Sequence, residues 1–315
     1  MHRAEHVSRR LKLRQLDVLL AVVQWGSMAK AAEHLAISQP VVSKTIADLE
    51  HTLGVRLLDR SSRGVEPTFY GRALLKRSAA VFNDLRTSVA ELEFLSDPTA
   101  GDVRIGSSEA VAAGMLGAII ARLSRKHPRL TFEVTLGGGL TDLQYRGLQT
   151  HNIDLIIGRL PSAIPDDVEP EILYHEKVYV AAATQSHWAR RRKIDLAELI
   201  NEPWCLPSLE TFPWSAIADV LRARGLALPR TTVTTRAILL TNDLLATGRF
   251  LTILPRTVLH FSAKRLSLQI LPVDVPIKPW PVGILTLKNR TLNPVAKLVI
   301  DCAREVAKPL TKRKL

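Results

Sequence analysis

Two cysteines in 315 residues, Cys205 and Cys302, are too few for a disulfide framework. Apolar neighbours at both favour buried structural thiols over a redox sensor. Long hydrophobic runs are missing too. The longest, residues 110–121, is well short of the roughly 18 residues that a membrane span needs, and it reads as a buried helix. The opening residues Met1-His2-Arg3-Ala4-Glu5-His6 lack the apolar core and cleavage site of a secretory signal. These lacks predict a cytoplasmic protein with no membrane partner. Catalytic signatures are equally scarce: there is no His-Glu-x-x-His, Gly-x-Ser-x-Gly, phosphate-loop or paired-cysteine metal pattern, and the nine histidines are scattered singly. The expectation is no enzyme, no metal and no cofactor.

What is present is an ordinary globular composition, 46% hydrophobic and 23% charged, on a chain long enough for about two domains. The 43 Lys/Arg against 30 Asp/Glu give a formal charge of +13, which suits a polyanion partner. Residues 1–80 hold 13 and 7 of these and the remainder 30 and 23, so charge alone does not single out one end. The run Arg190-Arg191-Arg192-Lys193 and the tail from Lys308 read as solvated surface, with non-specific DNA attraction as the sharper alternative.

Pattern does single out one end. Val42, Ile46, Leu49 and Leu53 recur at i, i+4, i+7 and i+11, an apolar helical stripe. Pro40, Ser43, Lys44 and Ala47 share the opposite face, small or hydrogen-bonding residues with one positive charge that can enter a groove. Ser38 is placed as N-cap and Pro40 in the first turn, where its missing N–H costs nothing. A second helix capped by Ser27 ends at Leu35, so only Ala36 and Ile37 separate the two. So short a turn forces a steep crossing, the helix-turn-helix arrangement. A preceding helix with Leu16, Leu19, Leu20 and Val23 on one face completes a three-helix head, and alanines at 29, 31 and 32 allow close approach. Beyond Gly54, two β-prone pieces flank Ser61-Ser62-Arg63-Gly64, a wing whose arginine can reach the minor groove.

At a dozen fixed positions, Ala31-Ala32 through Leu35 and Ser38-Gln39-Pro40 through Arg60, the chain resembles the LysR-type transcriptional regulators. The resemblance implies that Gln39, Pro40, Ser43 and Lys44 approach base edges or phosphates, Ser27 and Lys30 the backbone, and Arg63 the minor groove of double-stranded DNA. Lys44 stands where many relatives have arginine, so it offers a point charge instead of a bidentate fork.

From residue 68 to about 95 no proline occurs, and Gly71, Leu75, Ser78, Phe82, Leu85, Val89 and Leu92 follow steps of four and three. Such a helix packs on its own domain or on a second copy. The second is favoured, because a long helix between domains has little of its own chain to cover it. The family's linker helix dimerises, which implies a homodimer or homotetramer through Leu75, Phe82, Leu85, Val89 and Leu92. Strands and helices then alternate, implying α/β lobes with a mostly parallel sheet. They resemble the two-lobed, periplasmic-binding-protein-like (type 2) effector domain of the same family. The predicted organisation is an all-α winged helix-turn-helix head (11–68), a linker helix (69–97) and an effector domain (98–315). Lobe I is placed at about 101–171 and 276–315, lobe II at about 172–275.

In open α/β lobes the crevice lies beyond the carboxyl ends of the strands. Ser107, Ser108, Gly138, Thr141, Arg159 and Thr184 stand at such ends and are the candidate effector residues, suited to a small organic acid or a sugar-like metabolite. The sequence thus reads as an effector-controlled regulator that meets RNA polymerase at a promoter, as the resemblance implies. The competing readings are a small-molecule-binding protein or enzyme on the same two-lobed fold, with the head as an interaction module, and a non-specific architectural DNA binder, which would not need the lobes.

Overall fold

A computed structural model of the chain describes residues 10–61, 64–97, 99–137, 141–223, 225–275 and 277–311. The chain forms two compact units, one running to Val89 with Gln149–His151, the other comprising Ala90–Leu148 and Asn152–Leu315.

In the first unit, α1 (Leu13–Trp25), α2 (Met28–His34) and α3 (Gln39–Leu53) bury one another's apolar faces. Val42, Ile46 and Leu49 of α3 are fully enclosed, as their spacing requires. They meet Val18, Leu19 and Val22 of α1 and Ala31 and Ala32 of α2. Leu20 and Val23 are only half-buried and Ala29 is exposed, so the buried face of α1 lies nearer Val18 than the spacing suggested. Gly26 and Gly54 close α1 and α3 in the left-handed conformation (φ 65° and 72°). The wing strands β1 (Leu58–Ser61) and β2 (Gly64–Pro67) pair antiparallel from Leu58↔Pro67 to Ser61↔Gly64. Glu50, from α3, accepts from the Leu57 and Leu58 amides at 2.7 and 3.2 Å, and the Val65 amide donates to Gly26 O at 3.1 Å. These bonds fix wing to helix.

Helix α4 (Phe69–Ser96) follows. Gly71 is buried where a Cβ would overlap the Leu57 carbonyl oxygen, so a side chain cannot stand there. Leu74 and Leu75 pack on the head's own core. Leu75 therefore belongs to that core, and Gly71 and Ser78 are buried too, unlike the expected seam from Phe82 onward. Phe82 is half-buried, while Leu85, Val89 and Leu92 are 44, 53 and 68% exposed.

Among the described residues the second unit holds three sheets. The first has the order β4-β3-β5-β12-β6, from β3 (Ala100–Ser107), β4 (Arg129–Leu136), β5 (Leu155–Arg159), β6 (Val168–Glu176) and β12 (Trp280–Leu287). Val103, Ile105, Leu155 and Ile157 face one core and Ile156 faces the other, so the sheet is covered on both sides. Strands β3, β4 and β5 are mutually parallel, but β12 runs antiparallel to both β5 and β6. The mostly parallel sheet holds only for its first half, because β12 returns from the other lobe instead of through a local crossover. The second lobe centres on β7 (Val178–Ala183), flanked antiparallel by β10 (Thr252–Pro255) and β11 (Leu268–Ile270). Beside it lie the parallel pair β8 (Trp204–Leu206) and β9 (Thr231–Thr234). Connecting helices are α5 (Gly117–Lys126), α6 (Asp142–Gln149), α7 (Trp214–Ala223), α8 (Ile238–Ala246), α9 (Arg256–Ser262) and α10 (Pro294–Thr311). A single α-turn, Glu109–Val111, and a π-helical stretch, Ala112–Leu116, lead into α5. Among the described residues no helix is long and apolar enough to cross a membrane.

Candidate nucleic-acid interface and ligand cleft

The outer face of α3 is as free as the spacing required. Gln39, Pro40, Lys44 and Ala47 are exposed and Ser43 is half-buried beside the core stripe. Ser38 caps in extended backbone (φ −78°, ψ 147°) but through its carbonyl, which accepts from Val42 at 3.2 Å; its hydroxyl makes no capping bond. Thr45 donates its hydroxyl back to Val41 O at 2.8 Å, which leaves Lys44 and Gln39 as the outward polar groups of the first two turns. At the start of α2 the Ser27 hydroxyl accepts from the Ala29 amide at 3.2 Å, and Lys30 is exposed one position further on. Arg63 lies outside the described residues.

In the second unit a cavity of about 270 Å³ opens where the two lobes meet. From the first lobe come Ser108 and Glu109 after β3, Arg159 at the end of β5, Glu176 at the end of β6 and Val282 of β12. The second lobe supplies Cys205, Leu206, Thr211, Phe212, Trp214, Thr235, Arg236 and Thr241. Among the described residues three contacts span the cleft. Glu109 Oε1 accepts from the Ile238 amide at 2.7 Å, at the amino terminus of α8. The Arg159 guanidinium carbon stands 3.9 Å above the Phe212 ring centroid, and Phe212 meets Trp280 edge-on at 4.8 Å. Partial burial lowers the Arg159 pKa, because the charged form loses water there. Burial pushes the Glu176 carboxyl up, against the opposing hydrogen bonds from Thr257, Lys177 and Tyr174. Both thiols, at Cys205 and Cys302, are buried and pushed up by burial, the opposite of an activated cysteine. No group of three potential metal ligands occurs among the described residues.

Residues 96–308 match the LysR substrate binding domain, and residues 13–72 match the bacterial regulatory helix-turn-helix of the lysR family. The chain belongs to the LysR family. Among curated relatives it is 29% identical over 308 residues to the HTH-type transcriptional regulator GbpR of Azospirillum brasilense, covering 97% of this chain and 90% of that one. It is 26% identical to the regulator PcaQ of Agrobacterium fabrum, over 96% of each chain. A full-length single-residue variant of OxyR from Pseudomonas aeruginosa superimposes with a TM-score of 0.66 at 22% identity, covering 97% of this chain and 99% of that one. Full-length CbnR in complex with its target DNA gives 0.51 at 23%, covering 94% and 100%. The protein is thus a LysR-type transcriptional regulator with an effector-binding domain.

Of the six cleft residues expected from strand ends, Ser108 and Arg159 line the cavity. Ser107 does not: it is fully buried, and its hydroxyl donates to Ile157 O at 2.9 Å, tying β3 to β5. Thr141 is engaged in starting α6, where its hydroxyl accepts from the Gln144 amide at 3.3 Å, and Thr184 is exposed with its amide donating to Ser267 O. Neither reaches the cavity wall. Gly138 lies outside the described residues. The expectation missed the second lobe's whole share of the wall, from Cys205 through Pro255. Phe212 and Trp214 carry no polar signal and look like core positions, so only their placement reveals them.

Proposed function

We propose that this regulator reads a specific operator through α3, with Gln39, Pro40, Ser43 and Lys44 at the bases or phosphates, Ser27 and Lys30 on the backbone and Arg63 in the minor groove. The observation that carries the reading is the division of α3 into an enclosed apolar stripe and an exposed polar face of small residues with one lysine. The head spans 11–68, the linker helix 69–97 and the effector domain 98–315. A small organic acid between the lobes shifts the population of head arrangements by binding them with different affinity. The protein works in the cytoplasm, meets RNA polymerase at the promoter, and assembles as a dimer or tetramer. The relative CbnR has been captured on its target DNA, which supports the same partner here.

The direct test is fluorescence anisotropy against DNA upstream of the protein's own and neighbouring genes. Saturable binding about a thousandfold tighter than to random DNA is expected; equal affinity for both would refute a sequence reader.

Pairing of α4 with a second copy is supported by Leu85, Val89 and Leu92, large apolar side chains left uncovered along one helix. Each is worth about 1.5–3 kcal/mol on burial, so Leu85→Glu with Val89→Glu should weaken self-association by more than about a hundredfold. Analytical ultracentrifugation checks this. An unchanged sedimentation profile would place the interface elsewhere.

A further inference from the structure

We propose that the cleft takes a one-ring aromatic carboxylate, with its carboxylate on the Arg159 guanidinium and its ring among Phe212, Trp214 and Trp280. This assignment rests on the cleft being the effector site. A cavity of about 270 Å³ falls just below the usual span of small-molecule sites, roughly 300–1,000 Å³. That is room for one ring and its substituents, not for a nucleotide or an oligosaccharide.

Charge and wall chemistry separate the remaining candidates. Among the described residues none forms an ion pair or hydrogen bond with the Arg159 guanidinium, which lies over the Phe212 ring at 3.9 Å. Stacking occupies the face of a guanidinium and leaves its edge N–H donors for an anion. The two acids in the wall are each engaged by donors of the protein itself. Glu109 accepts from the Ile238 amide at the amino terminus of α8, and Glu176 is enclosed and accepts from the Thr257 amide and the Tyr174 hydroxyl. A polyhydroxy ligand fares worse, because the wall's hydroxyls are engaged by the protein itself, Ser108 by the Val111 amide at 3.4 Å. Thr241 donates to Ala237 O at 3.1 Å, Thr252 to Cys205 O at 2.7 Å, Thr211 pairs with Ser208 at 3.0 Å, and Thr235 accepts from the Ala237 amide at 3.1 Å. What remains is the Arg159 guanidinium over an aromatic face, with the exposed Arg236 as a second cation at the wall, beside aromatic and aliphatic side chains: the complement of a flat apolar body with a negative end.

The test is calorimetric titration of the full-length protein with benzoate, benzamide and glucose. Benzoate should bind saturably and benzamide at least about tenfold more weakly, since the amide keeps the ring and loses the charge-assisted bonds. In Arg159→Gln, benzoate should fall to the level of benzamide while benzamide is unchanged; in Phe212→Leu both should weaken. Circular dichroism melting confirms that the variants fold. Equal binding of benzoate and benzamide, or no benzoate binding at tens of millimolar, overturns the aromatic acid. Saturable glucose binding that Phe212→Leu weakens also overturns it, but keeps the cleft as effector site. Benzoate binding untouched by both substitutions overturns the assignment by removing the cleft itself.

Discussion

Replacing Asp154 by alanine should cost the effector domain about 3–5 kcal/mol, the usual penalty for removing one partner of a buried ion pair. Asp154 is 2% exposed and sits at the start of β5. Its carboxylate accepts from Arg290 at 2.6 Å, from Arg104 at 3.0 Å and from the Arg104 backbone amide at 2.9 Å. Arg290 also donates to Ile153 O at 2.8 Å, and its side chain is almost wholly enclosed. Alanine would leave two guanidinium charges facing each other with their shared anion gone. The loss would also unpin β5 from β3 and from the segment after β12, the elements that carry Arg159 and Val282 to the cleft. At about 2–4 °C per kcal/mol for a domain of this size, the melting temperature should fall by on the order of 10 °C. Asp154→Asn, which keeps an acceptor, should lose less. A fall of under about 2 °C in thermal melting of the alanine variant would show that the triad contributes little beyond its own desolvation.

The same residue marks what a sequence can and cannot reveal. The apolar strand that Asp154 opens is evident from its run of Leu155, Ile156 and Ile157, but that two distant arginines converge on its carboxylate depends on the return of β12 from the second lobe. Helix α3 was readable in full because every signal for it is local: stripe, proline in the first turn, glycine stop. Strand β6 was not, because it is the outer strand of its sheet and carries Pro170, Glu169 and Glu171. An edge strand tolerates proline and charge, and both erase the apolar run by which a strand is recognised. The cleft divides in the same way. Ser108 and Arg159 follow from the rule that crevices lie at strand ends, whereas Phe212 and Trp214 share the apolar character of ordinary core residues. They line a cavity only because loops after β8 fold back over the first lobe's strand ends.

Lys44→Ala should weaken operator binding on the order of a hundredfold and lower its salt dependence. Lys44 is exposed on α3, one turn in from Pro40 and on the face away from the enclosed Val42 and Ile46. On the proposed reading this lysine meets phosphate or a guanine edge, and a hydrogen bond to a charged group is worth roughly 1.5 kcal/mol at the low end. That is about tenfold per head, and two heads on one operator double it in free energy. Each phosphate contact also contributes about 0.9 to the slope of log affinity against log salt, so a dimer should lose close to 2. Lys44→Arg separates the two contacts. If the side chain meets only phosphate, arginine should restore both affinity and slope with no change in preference. If it meets guanine, the planar fork should tighten binding to the operator relative to random DNA. Anisotropy titrations at several salt concentrations read both quantities. Unchanged affinity and slope in the alanine variant would remove Lys44 from the interface and leave Gln39 and Ser43 as the polar side chains with which α3 could tell one sequence from another.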